Sequence, residues 1–340
     1  MIIPLGHEQT SVRRLPWVTF AIIGLCIVAF VLSIVPERHA LEEANRLFQE
    51  IVGLFVADPE LDLDPAIEKM FFGSLPDDQG QRDAFREYLK EMAPQAEAML
   101  PLEMRDGLAG ESSRAIRQGE LDRLTEQFWA ALHGSPNYQL GLIPAHMTAH
   151  GFVTHMFMHA GWLHLFGNLF FLFLAGPFIE DVWGRPLFAA FYLASGLVAA
   201  LAYAARFPGF EGSLIGASGA IAGVMGAFLI RFWKTKIKFF YWFGFFVGTF
   251  EAAAWIMLPL WFLREFFTAQ AMEVLIPGEN GGGVAYWAHV WGFAFGMVVA
   301  VAVSYFRIED RFIHSTIESK ITVVDNTAVE QAMGLAAAGN

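Results

Sequence analysis

The chain has 340 residues, of which 55% are hydrophobic and 16% charged, with 34 phenylalanines and a formal net charge of −12. So apolar a composition excludes an ordinary soluble domain, and the lack of a basic surface excludes a nucleic-acid partner. What remains is an all-α polytopic membrane protein whose solvent is the lipid bilayer.

In chain order, Arg13 and Arg14 precede a first apolar run, 15–35, that is too long for a signal-peptide core and has no small-residue cleavage site after it. It reads as a retained signal anchor, so residues 1–36 form a cytoplasmic N-terminus and a first transmembrane helix. The single cysteine, Cys26, lies inside that run and can form no intramolecular disulfide. Residues 37–148 read as an acidic, mostly helical insertion, since between Glu37 and His133 there are 21 acidic and 10 basic side chains. This segment carries nearly all of the net charge. Within it Ile116, Leu121, Leu124, Phe128 and Leu132 recur at roughly helical spacing, which predicts a small helical cap.

Five further apolar runs follow, at 152–178, 186–205, 214–230, 239–263 and 284–306. Each is close to the roughly 20 residues a helix needs to cross the hydrocarbon core. They predict a core over 149–306 and a six-span bundle. Residues 307–340 are left as a short cytoplasmic tail, partly disordered. Basic residues fix the orientation. Arg13, Arg14, Arg185, Arg231, Lys234, Lys236, Lys238, Arg307 and Arg311 fall on one side of the six spans, against Arg206 and Arg264 on the other. By the positive-inside rule both termini are cytoplasmic and the acidic insertion is extracytoplasmic.

Polar groups inside spans are costly and need a reason. His159, His164 and Asn168 in HAGWLHLFGN, Ser218 in GASG and His289 in YWAHVWG all fall near the outer ends of their runs, at a common depth. His164 and Asn168 share a helix face, whereas His159 either faces elsewhere or precedes the helix, as Gly161 permits. Gly219, Gly223 and Gly226 on one run, with Gly292 and Gly296 on another, give two small-residue faces whose backbones can approach closely. Such an approach predicts Ser218 and His289 within hydrogen-bond reach.

A serine hydroxyl becomes a nucleophile when a base takes its proton, and imidazole is the usual base at neutral pH. Ser218 is the candidate nucleophile and His289 the candidate base. No carboxylate stands near either in sequence, and Glu251 has no obvious partner, so the pair is expected to be a dyad without an acid, its ring oriented by packing against Trp287 or Trp291. Helix N-terminal N–H groups at Ser218, with Asn168 and His164, are candidate oxyanion donors. Gly216 and Gly219 are expected to clear space for substrate.

These residues resemble the rhomboid intramembrane serine proteases. The family's histidine, asparagine and serine motifs fall on His159, His164, Asn168 and Gly216 to Gly219, and its last catalytic histidine falls on His289. The likeness covers the first span and residues 152–306, and 180–184 look like the family's loop after the second span. It implies cleavage of single-pass transmembrane substrates in or near the bilayer by a Ser/His dyad with an acyl-enzyme intermediate and no metal or cofactor, in a bacterial inner membrane. It also implies substrate entry beside the fifth span and below an outer loop at 272–283. Two departures stand out: the position four after Ser218, where some relatives carry a ring-stacking tyrosine, is Ala222, and the insertion is not part of the minimal core. Two other readings are a catalytically silent rhomboid-like client-binding protein and a metal site on His155 and His159, which lacks an H-E-x-x-H.

Overall fold

The computed structural model describes residues 2–7, 14–72, 79–99, 111–244, 246–275 and 284–309, and is mostly helical. The chain divides into two compact units, one of Met1–Val31 with Leu140–Asn340 and one of Leu32–Gln139. The tail expected beyond residue 309 and residues 276–283 of the expected outer loop lie outside the described residues.

The helix α1 (Trp17–Ala57) belongs to both units. Its first half is apolar, yet it does not stop near Val35 as the composition change suggests, and it runs on through Pro36 for 41 residues. Its second half supplies Leu47, Ile51, Leu54 and Phe55 to the core of the Leu32–Gln139 unit. Around them lie α2 (Pro65–Phe72), α3 (Gln79–Met99), α4 (Glu111–His133) and α5 (Pro136–Leu140). Asp64 starts α2 by accepting from the backbone N–H of Ala66 and Ile67 at 2.9 and 3.1 Å. Leu121, Leu124 and Phe128 of α4 enter the core and Leu132 packs against it. Ile116 does not, being 69% exposed. Five residues before Leu121 it stands about 140° round the helix, so its place in the apolar stripe is overturned.

In the other unit the expected run 152–178 is broken. The short helix α6 (Gly151–Thr154) and a 3₁₀ turn at His155–Phe157 come first, and α7 (Trp162–Trp183) begins only after Gly161. His159 therefore precedes the helix. The expected loop at 180–184 is mostly the last turn of α7, where the Glu180 carboxylate accepts from Val18 N, Thr19 N and Thr19 Oγ at 2.8–3.0 Å. Next come α8 (Arg185–Arg206) and α9 (Ser218–Arg231). A β-hairpin, β2 (Lys236–Phe243) and β3 (Phe246–Ala253), follows, and then α10 (Ala254–Leu275) and α11 (Tyr286–Tyr305). The helix expected over 239–263 is thus overturned in its first half. Aromatic and β-branched residues pair as antiparallel strands through Gly244, whose φ of 63° suits the turn. A further strand, β1 (Ile2–His7), pairs antiparallel with β2.

Four described helices are long and apolar enough to cross a membrane: α1, α7, α8 and α11. The apolar α9 is shorter at 14 residues. Arg264, expected in an outer loop, lies inside α10, which also carries Glu265 and Glu273. From Gly219 to Leu229 every residue of α9 is buried, so this helix forms the centre of its unit. It meets α11 backbone to backbone. A Cβ at Gly292 would overlap the carbonyl of Gly219, one at Gly296 the carbonyl of Gly223, and one at Gly226 the carbonyl of Phe293. Only glycine permits so close a seam.

Candidate active site

The seam brings Ser218, the first residue of α9, against His289 in the first turn of α11. Ser218 Oγ lies 2.8 Å from His289 Nε2. The local chain explains why the hydroxyl is presented there. Gly216, at φ 122°, donates its N–H to His155 O at 2.8 Å and turns the chain into α9. A Cβ at Gly216 would stand 2.8 Å from His164 Nε2, so glycine is required by both backbone and space.

The other nitrogen of His289 has a partner that local sequence did not reveal. His289 Nδ1 lies 2.8 Å from Glu265 Oε2, and Glu265 is only 3% exposed. Its second oxygen accepts from Arg264 Nη1 at 3.2 Å. The expectation of a pair with no carboxylate beside it is overturned, because α10 continues past Leu263 and carries Glu265 up to α11. Ring packing differs as well. Trp261, one turn before Glu265, stacks on His289 with centroids 6.2 Å apart and planes at 30°, and Tyr286 approaches edge-on at 6.3 Å. Neither Trp287 nor Trp291 takes that role: the Trp287 indole donates to Glu273 Oε2 at 3.1 Å, and Trp291 is 46% exposed. Trp261 thus stacks on the His289 ring from α10, whereas Ala222 of α9 offers no ring. A carboxylate and an aromatic at i, i+4 within an apolar helix were the one available signal.

His164, Asn168, Ser218, Trp261, Glu265 and His289 all line one cavity of about 710 Å³. Asn168 is buried and its Nδ2 amide has no partner among the described residues. His159 lies behind His164, their rings 5.2 Å apart and edge to face, with its Nδ1 3.2 Å from Phe157 O and its Nε2 unpartnered. Gly219 does not face the cavity as expected. A Cβ there would meet Ala199 of α8 at 2.8 Å, so this glycine serves helix packing.

Comparison with known proteins bears on the stretch that carries these residues. The rhomboid domain family matches residues 146–306. A Bacillus subtilis (strain 168) protein named "Putative rhomboid protease YdcA" is 34% identical over 77 residues, 23% of this chain and 38% of that protein. "Rhomboid-like protein 11, chloroplastic" of Arabidopsis thaliana is 41% identical over 73 residues, 22% of this chain and 26% of that protein. The chain therefore spans well under half the length of these two relatives. Residues 146–306 are thus similar to a rhomboid domain, and that match, joined to the apolar helices, points to a multi-pass membrane protein.

Proposed function

We propose that this chain is an intramembrane serine endopeptidase that cleaves single-pass transmembrane proteins, with Ser218 as nucleophile and His289 as general base. The observation that carries this reading is the 2.8 Å contact between Ser218 Oγ and His289 Nε2 in a cavity with an unpartnered amide donor. Ser218 Oγ attacks the scissile carbonyl carbon while His289 Nε2 takes its proton. The carbonyl π pair moves to oxygen, where Asn168 Nδ2 and the backbone N–H groups of Ser218 and Gly219 at the start of α9 are the donors. As the tetrahedral species collapses, the C–N bond breaks and Nε2 returns the proton to the departing amine, leaving an acyl-enzyme. Water, deprotonated by the same nitrogen, then hydrolyses the ester and restores Ser218.

In this reading six segments cross the bilayer, α1, α7, α8, α9, α10 and α11. Supporting α10 as a crossing helix, the exposed side chains of its first half, Trp255, Ile256, Leu260 and Leu263, are apolar, and exposed polar ones, Arg264 and Gln270, come only after them. Supporting a shared inner end, Arg14 N donates to Asp181 at 3.0 Å, and Glu309 accepts from both Trp183 and Arg231 at 3.1 and 2.8 Å. That end carries the basic residues and is taken as cytoplasmic. Residues 37–148 are then an extracytoplasmic insertion, 149–306 the catalytic core, and the membrane the bacterial inner membrane.

The test is labelling by a serine-directed fluorophosphonate together with cleavage of a transmembrane reporter in proteoliposomes. Wild type is expected to react in both, and Ser218→Ala and His289→Ala to lose nearly all turnover, by about 10⁶-fold as members of one catalytic unit. Asn168→Ala is expected to keep labelling and lose about 10²-fold in turnover. Wild-type cleavage by Ser218→Ala would end the assignment, and an unlabelled, inactive wild type would favour the silent, client-binding reading.

A further inference from the structure

We infer that Glu265 acts through His289 as the third member of a Ser218–His289–Glu265 triad, rather than serving only to pair with Arg264. The inference rests on the proposed protease reading and adds to it an acid on a helix that bears neither the nucleophile nor the base.

Three observations converge. Glu265 is 3% exposed on α10, and a carboxylate so buried is costly unless it is partnered. One oxygen, Oε2, lies 2.8 Å from His289 Nδ1, while Arg264, whose side chain is 69% exposed, holds the other at 3.2 Å. Trp261, one turn earlier on the same face, covers the imidazole ring. One helix face therefore fixes both the plane of the ring and its hydrogen bonding.

The chemistry follows from the single proton of a neutral imidazole. A carboxylate beside Nδ1 can only accept, so the ring keeps its proton on Nδ1 and turns the Nε2 lone pair toward Ser218 Oγ–H. When Nε2 takes the serine proton, the imidazolium that forms lies against the negative charge of a buried carboxylate, where such pairing is worth more than in bulk water. The Nδ1 proton stays on nitrogen throughout and no bond to Glu265 forms or breaks. Glu265 is thus a positioning residue. Replacing its carboxylate by an amide reverses the pattern, since the amide N–H donates to Nδ1 and drives the ring proton onto Nε2, where it blocks proton acceptance from Ser218.

The experiment uses the full chain in detergent and in proteoliposomes. Glu265→Gln is expected to slow the second-order labelling of Ser218 and to lower kcat by about 10²- to 10⁴-fold, with KM for the transmembrane reporter within about twofold of wild type. Glu265→Asp, which keeps the charge, is expected to recover about tenfold or more of that loss, and Glu265→Gln should add nothing in a His289→Ala background. A Glu265→Gln protein that labels and turns over like wild type overturns the triad and leaves the protease reading standing, whereas an unlabelled wild type sinks both. A measurement on wild type decides the matter if the Gln variant does not fold. In the ¹⁵N-histidine-labelled chain, with the His289 resonances assigned by their loss in His289→Ala, a proton on Nδ1 is expected and a proton on Nε2 refutes the inference.

Discussion

The seam between α9 and α11 and the core of the Leu32–Gln139 unit are both buried, but they are held by opposite means. At the seam side chains have been removed: three glycines sit where a Cβ would overlap a carbonyl of the facing helix. In the other unit side chains do the filling, with leucines, isoleucines and phenylalanines from α1, α2 and α4 interdigitating. The difference teaches where tolerance lies. A core of side chains can relax into a vacancy, whereas two backbones in contact cannot yield to an added atom without moving a whole helix, and on these two helices the hydroxyl and imidazole depend.

The largest effect expected from this contrast is at the seam. Gly296→Val places branched carbon against the Gly223 carbonyl, and should cost about 3 kcal/mol or more and abolish fluorophosphonate labelling, read from a thermal midpoint and a labelling gel. Retained labelling would mean that the backbone contact does not set the Ser218–His289 distance. Next comes Phe128→Ala, which empties a buried position and should cost about 3–5 kcal/mol in the unfolding of its unit, followed by limited proteolysis. If labelling of Ser218 falls in parallel, the two units do not unfold independently. Smallest is Ile116→Ser, on the exposed side of α4, which should change stability by less than about 0.5 kcal/mol and so bound what a surface change does there.

How much of this was legible in the sequence depends on the reach of each signal. Apolar runs revealed α1, α7, α8, α9 and α11, because burial in lipid or protein leaves a continuous local trace. Small residues at i, i+4 announced the seam. The hairpin β2–β3 was misread because a run such as FFYWFGFF is apolar throughout and carries no period. Its aromatic richness and central glycine were the cues against a helix. Glu265 escaped for a different reason. Seen locally it is one charge beside Arg264, and its relation to His289, 24 residues on, exists only once α10 has packed against α11. Chemistry shared across a contact that small residues announce, as between Ser218 and His289, could be read from the sequence, but chemistry brought in by a helix with no such mark could not.

The three-stranded sheet carries one more consequence, for the order of assembly. β1 finds its partner in β2, more than 230 positions later, with the pairing shifting register between Pro4 and Gly6. At a synthesis rate of about 5–20 residues per second, β1 waits at least about 10 s for its hydrogen-bonding mate. During that interval its backbone must be solvated or chaperoned, and the sheet closes only after α9, with Ser218 at its head, has already emerged.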